Sequence, residues 1–122
     1  MILTGKCKED FEAWGLVNNK ELLKYSEERY SEVIDMSQLF NYLTDSMQYG
    51  LLVDFFDSVG VRVELMKHKL DDLWGCYIEG VIQGARIKTR QEARIKAIEK
   101  AVEIYNKTYL LKQIIKPNVN VL

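Results

Sequence analysis

The chain has 122 residues, 48% of them hydrophobic and 29% charged, with a formal net charge of −1. That size suits a single domain, 1–122, around one core, and the apolar content excludes intrinsic disorder. No apolar run exceeds a triplet such as Leu51, Leu52 and Val53, whereas a membrane-spanning helix needs about 20 apolar residues.

The opening stretch MILTGKCKED has no basic segment followed by an apolar one, so no secretory signal is read there and the cytosol is the expected location. Thr4 is placed to cap a first helix in which Cys7, Phe11 and Trp14 share one face, until Asn18 and Asn19 interrupt it. A second helix is predicted from about Lys20 to Glu32, with Leu22, Leu23, Tyr25 and Tyr30 as its apolar content. A third is predicted over 46–59, capped by Asp45 or Ser46 and ended by Gly60 in a left-handed conformation. Its apolar residues are Leu52, Phe55, Phe56 and Val59. A buried strand at LLVDFF is the competing reading of the same segment.

After Gly60 the period changes to two. Val61, Val63 and Leu65 alternate with Arg62, Glu64 and Met66, and after a polar turn at KHKLDD the residues Trp74, Cys76 and Ile78 share one face. This predicts an antiparallel hairpin, with a third short strand over part of VIQGARIK, punctuated by Gly80 and Gly84. Thr89 and Glu92 form the T-x-x-E signature of a capping box, and a helical pattern runs from there to about Ile115. Ala93, Ala97, Ile98, Ala101, Ile104, Tyr105 and Tyr109 make its apolar face, with charged residues on the opposite arc. The small alanines allow a close approach to the sheet. The fold class is therefore α+β: a helical N-terminal part, a small antiparallel sheet and a long C-terminal helix packed on it. The extension 110–122 is rich in apolar residues, so it either folds back on the domain or pairs with a second copy, and a homodimer is the expectation.

Three segments, GKCKEDFEAW, MQYGLLVDFFDSVGV and TRQEARIKAIEKAVEIYN, together about a third of the chain, resemble small uncharacterised proteins encoded by bacteriophages and prophages of gut bacteria. The resemblance implies a viral origin and a place in the infected host's cytosol. Those relatives end soon after the IYN motif, whereas this chain continues with KTYLLKQIIKPNVNVL.

Few residues point to catalysis. His68, the single histidine, falls in a predicted solvated turn between Lys67 and Lys69, with no nucleophile near it in sequence. Cys7 and Cys76 match no metal-ligand or CxxC spacing and are expected to be buried, reduced thiols. Asp54 with Asp57, and Asp71 with Asp72, lack the further ligands of a carboxylate metal site, and no glycine-rich phosphate loop occurs. No catalytic residue, metal or cofactor is assigned.

Charge is the informative feature. Residues 1–80 hold 15 Asp and Glu against 8 Lys and Arg, and residues 81–122 hold 3 against 9. Arg86, Lys88, Arg90, Arg94, Lys96 and Lys100 crowd the start of the last helix, a position that does not favour cations. The first expectation is that Arg90 and Arg94 fork onto carboxylates of the acidic segments, Asp54, Asp57, Asp71 and Asp72 among them. A phosphate or nucleotide at the helix start, or an acidic surface on another protein, are the alternatives. Nucleic acid is disfavoured by the net negative charge. Arg86, Lys88, Arg90 and Arg94 are the candidate anion- or partner-binding residues. The expected function is that of a non-enzymatic accessory protein that binds a host or phage component, such as an inhibitor of host antiviral defence. Sequestration of a nucleotide or small anion is the second reading.

Overall fold

A computed structural model describes residues 1–32 and 34–120, with side chains up to residue 113. Helices α1 (Gly5–Asn18), α2 (Lys20–Tyr30), α3 (Met36–Tyr42) and α4 (Asp45–Ser58) precede strands β1 (Val63–Lys67), β2 (Trp74–Ile78) and β3 (Val81–Ile87). Helix α5 (Arg90–Asn120) closes the described chain. The α+β architecture is as predicted, with the meander as the form of the sheet: antiparallel, in the order β1-β2-β3.

The N-terminal helices build an aromatic core. Residues at helical spacing bring Cys7 and Phe11 of α1, Leu23 of α2, Leu39 and Phe40 of α3 and Leu52, Phe55 and Phe56 of α4 into one buried cluster. Phe11 meets the edges of Phe40 and Phe55 at centroid distances of 5.4 and 5.6 Å. Such tilted and edge-on contacts are the favourable ones for aromatic rings. Helix α3 was not anticipated. It is held by a capping box in which Asp35 Oδ1 accepts from the Gln38 backbone N–H at 2.7 Å, and Gln38 Oε1 accepts from the Asp35 N–H at 3.0 Å. Helix α4 settles LLVDFF as helical, and its cap is Thr44, one residue before the predicted pair. Gly60 ends it with φ of 79°, as expected, although Val59 is exposed rather than buried.

The sheet follows from the alternation after Gly60. Val63 pairs with Ile78 and Leu65 with Cys76, and a two-residue turn at Glu79 and Gly80 returns the chain into β3. Two irregularities follow, because Cys76 lies opposite Gly84 while its neighbours Tyr77 and Trp74 lie opposite Ile82 and Ile87. The extra residues sit on β3, and Arg86 absorbs one of them in a left-handed conformation, φ 56°. Helix α5 then lies across the sheet through Ala93, Ala97 and Ala101, all fully buried. Contact is close enough that a Cβ at Gly84 would stand 3.2 Å from Lys96 Cγ and 3.1 Å from Cys76 Sγ. The helix begins with Thr89 Oγ1 accepting from the Glu92 N–H at 3.1 Å, and it runs past the predicted end near Ile115 to Asn120. Of the 110–122 extension, the side chains beyond residue 113 and the last two residues lie outside the described part.

Both cysteines are buried and unpaired, as expected. Burial pushes the Cys7 thiol from an ordinary 9.0 up to about 12, with Asp10 adding to the effect. Burial also raises the Tyr105 phenol, and its hydrogen bond to Asp10 raises it further. Above pH 9 the unfolded chain therefore releases protons that the native chain retains, so stability is intact at neutral pH and declines as the pH climbs toward 12. Cys7 alone should contribute a loss of up to about 1.4 kcal/mol per pH unit in that window. Urea unfolding at neutral pH and at about pH 10.5 measures the slope. In Cys7→Ala, which starts less stable, the slope should be shallower; an equal slope in both proteins contradicts the assignment.

A candidate cationic and aromatic binding face

The four predicted site residues lie together at the junction of β3 and α5. Arg86 is in the β3 irregularity, Lys88 in the link, Arg90 at the first position of α5, and Arg94 one turn further on. Arg86, Lys88 and Arg90 are exposed and Arg94 is half-buried. The register of β1 and β2 sets Lys67 opposite Trp74, and that of β2 and β3 sets Ile87 there too. Trp74 thereby receives cations from two elements. The Arg90 guanidinium lies 5.8 Å from its ring centroid and Lys67 Nζ 5.9 Å. Arg94 sits 5.5 Å from the centroid of Tyr49, on α4, and its Nη1 donates to Ser46 Oγ at 2.9 Å. Its Nε is buried without a partner. Burial raises the Tyr49 phenol, while Arg94 and Arg90 act in the opposite direction.

The expected neutralisation by the acidic segments does not occur. Among the described residues, no ion pair joins the chain after residue 80 to the carboxylates before it. Asp72 pairs with Lys67 at 3.0 Å, and Asp71 accepts from the Leu73 N–H within its own turn. Asp54 and Asp57 are exposed on α4. Asp45 comes nearest the basic junction, and its Oδ2 accepts from Gln91 Nε2 at 3.0 Å. Lys96 and Lys100 pair within α5, with Glu99 at 3.9 Å and Glu103 at 3.4 Å. The physical reason is that opposite charge sums create attraction without direction, and exposed pairs gain too little to reorganise a fold. The arginines found aromatic faces, which the packing supplies, in place of carboxylates.

His68 is half-buried, with its backbone closing the β1–β2 turn through Leu73 and Asp72. Among the described residues no three His, Cys, Asp or Glu side chains are grouped to hold a metal ion. Burial raises the Cys76 thiol although Lys96 and Lys100 pull it down, so both thiols are held in the protonated, weakly nucleophilic form.

A second feature had no counterpart in the sequence reading. Between the N-terminal segment and α5 lies an open, mainly apolar groove of about 710 Å3, with Ile98 and Val102 on its floor and Ile2, Ile95 and Leu110 along its sides. Its signal was present in the spacing of Ile95, Val102 and Leu110, a second apolar stripe beside the alanines. No protein-family model, curated protein or solved structure matches the chain.

Proposed function

We propose that this chain is a small non-enzymatic binding protein whose cationic and aromatic face engages an acidic surface on another protein. The observation that carries the reading is the set Arg86, Lys88, Arg90 and Arg94, free of carboxylate partners among the described residues, with Arg90 beside Trp74 and Arg94 beside Tyr49. Arginine, tryptophan and tyrosine dominate the energetic centres of protein interfaces. A small ligand calls for a concave site, and the best-formed cavities, including the apolar groove, are lined by other residues. The three segments similar to phage and prophage proteins support a viral origin, with the partner a host or phage component in the host cytosol, such as one used in antiviral defence. Sequestration of a nucleotide or phosphate is the second reading. It is favoured by the helix start beneath Arg90 and by the unpartnered Nε of Arg94.

The test compares the native chain with a variant carrying Arg86→Glu, Lys88→Glu and Arg90→Glu, all at exposed positions. An acidic protein captured from bacterial lysate by the native chain should be lost by the variant and should weaken steeply with salt. A partner retained equally by both removes this face from the reading. Melting curves with a nucleotide panel separate the second reading, since a ligand at 100 times its Kd stabilises by about 2.7 kcal/mol. Flat curves are expected. The neighbouring genes add a further check, because a place among capsid genes argues against an accessory role.

A further inference from the structure

Among the described residues, Ser31, Asp72, Glu79 and Arg86 are the residues other than glycine with a backbone in the left-handed region, at φ of 54°, 63°, 52° and 56°. That conformation crowds the Cβ of an L-residue against the following carbonyl oxygen and lowers stability, so each instance calls for a cause. Three have a local one. Ser31 is the C-cap of α2, where helices routinely end in this conformation. Asp72 pairs with Lys67 at 3.0 Å, and aspartate tolerates the left-handed region. Glu79 opens the tight turn between β2 and β3, which requires positive φ at both central residues, and its Oε1 accepts from the Arg62 N–H. Arg86 has no such cause. Its side chain is exposed, and among the described residues its guanidinium forms no ion pair and stacks on no aromatic ring, unlike those of Arg90 and Arg94. Glycine would meet the backbone demand of this bulge without strain. The position holds an arginine that the fold does not use.

We propose that Arg86 is a specificity-determining contact of the cationic face: its guanidinium forks onto a carboxylate of the acidic partner, and the left-handed bulge presents it for that contact. The inference rests on the acidic-partner reading above and adds to it the residue at which fold stability is given up for binding. Bulges re-aim side chains beside binding sites, and strained backbone concentrates at such sites. Arg86 adjoins Ile87, which pairs with Trp74, so it borders the ring that Arg90 and Lys67 already flank. Arginine serves there better than lysine, because its planar fork can meet both oxygens of one carboxylate in parallel bonds.

Three variants of the full chain separate backbone from side chain. Arg86→Gly removes both the strain and the guanidinium, Arg86→Ala removes the guanidinium and keeps the strain, and Arg86→Lys keeps the charge and the strain without the fork. In thermal unfolding Arg86→Gly should melt roughly 2–5 °C above the native chain, net of the extra freedom glycine gives the unfolded state, and the other two should not. Binding is read by the anisotropy of a fluorescein-labelled polyglutamate peptide at low salt. Arg86→Gly and Arg86→Ala should weaken it alike, by about threefold or more, and Arg86→Lys by less. A variant that folds more stably and binds less tightly is a signature that a structural role does not produce. A peptide that the native chain does not bind removes the acidic-partner reading, and this inference with it. A peptide bound by the native chain and held as tightly by Arg86→Gly overturns the role of Arg86 alone. A melting temperature of Arg86→Gly no higher than the native one overturns it too, since the arginine would then cost the fold nothing.

Discussion

Phe55→Ala is expected to remove about 3–5 kcal/mol of stability, the range for truncating a buried phenylalanine. Phe55 is 1% exposed and stands where the N-terminal helices meet α5. Its ring touches Phe11 at 5.6 Å, Trp14 at 5.8 Å, Phe56 at 5.4 Å and Tyr105 at 5.8 Å. Alanine there removes the apolar transfer energy and four aromatic contacts, and the rigid neighbouring rings cannot collapse into the space. Domains of this size have a total stability of about 5–15 kcal/mol, so the substitution consumes a large part of it. Urea unfolding followed by tryptophan fluorescence is a direct readout, because Trp14 borders the cavity. A midpoint within error of the native value would mean that the aromatic cluster is not the core.

Asn106→Ala is expected to cost about 1–2 kcal/mol and to lower Tm by roughly 5 °C, through a helix that lies elsewhere in the chain. Thr4 occupies the N-cap position of α1, but its side chain makes no cap. Asn106, on α5, takes over. Its Oδ1 accepts from the Cys7 N–H at 2.9 Å, and its Nδ2 donates to the Thr4 carbonyl at 3.1 Å. Gly5, with φ of 60°, is what lets the backbone turn there, since a Cβ would sit 3.0 Å from Asn106 Nδ2. Close by, Tyr105 donates to Asp10, which also pairs with Lys6 at 3.0 Å. Loss of Asn106 therefore leaves α1 uncapped at the joint that ties both ends of the domain together. Asn106→Asp, which keeps the acceptor for Cys7 and loses the donor to Thr4, should recover part of the loss. Hydrogen exchange at the Cys7 amide locates the effect: it should speed up in Asn106→Ala and stay slow in Asn106→Asp.

The cationic face illustrates how far one-dimensional reading reaches. That Arg86, Lys88, Arg90 and Arg94 cluster at the start of α5 was plain from their spacing and from the Thr89 cap. What they face was not. Trp74 comes from β2, Lys67 from β1 and Tyr49 from α4, and only the sheet register and the docking of α5 bring those three beside the arginines. The pairing expected from the charge asymmetry failed for the same reason, since a sum over a segment has no geometry. Helix α3 was missed because seven residues are too few to establish a helical period. The D-x-x-Q spacing of Asp35 and Gln38 was its one local mark.

Local interactions explain what the residues alone were able to settle: the two-residue alternation of the hairpin, the caps and stops at Thr89 and Gly60, the alanine face of α5 and the α+β class. Each depends on neighbours within a few positions, where backbone geometry leaves little choice. The capping of α1 by Asn106, the aromatic partners of the arginines and the open groove along α5 belong to tertiary structure alone. They join residues up to 102 positions apart. Such contacts are selected by the packing of whole elements, and no period or motif along the chain encodes which distant side chain will arrive.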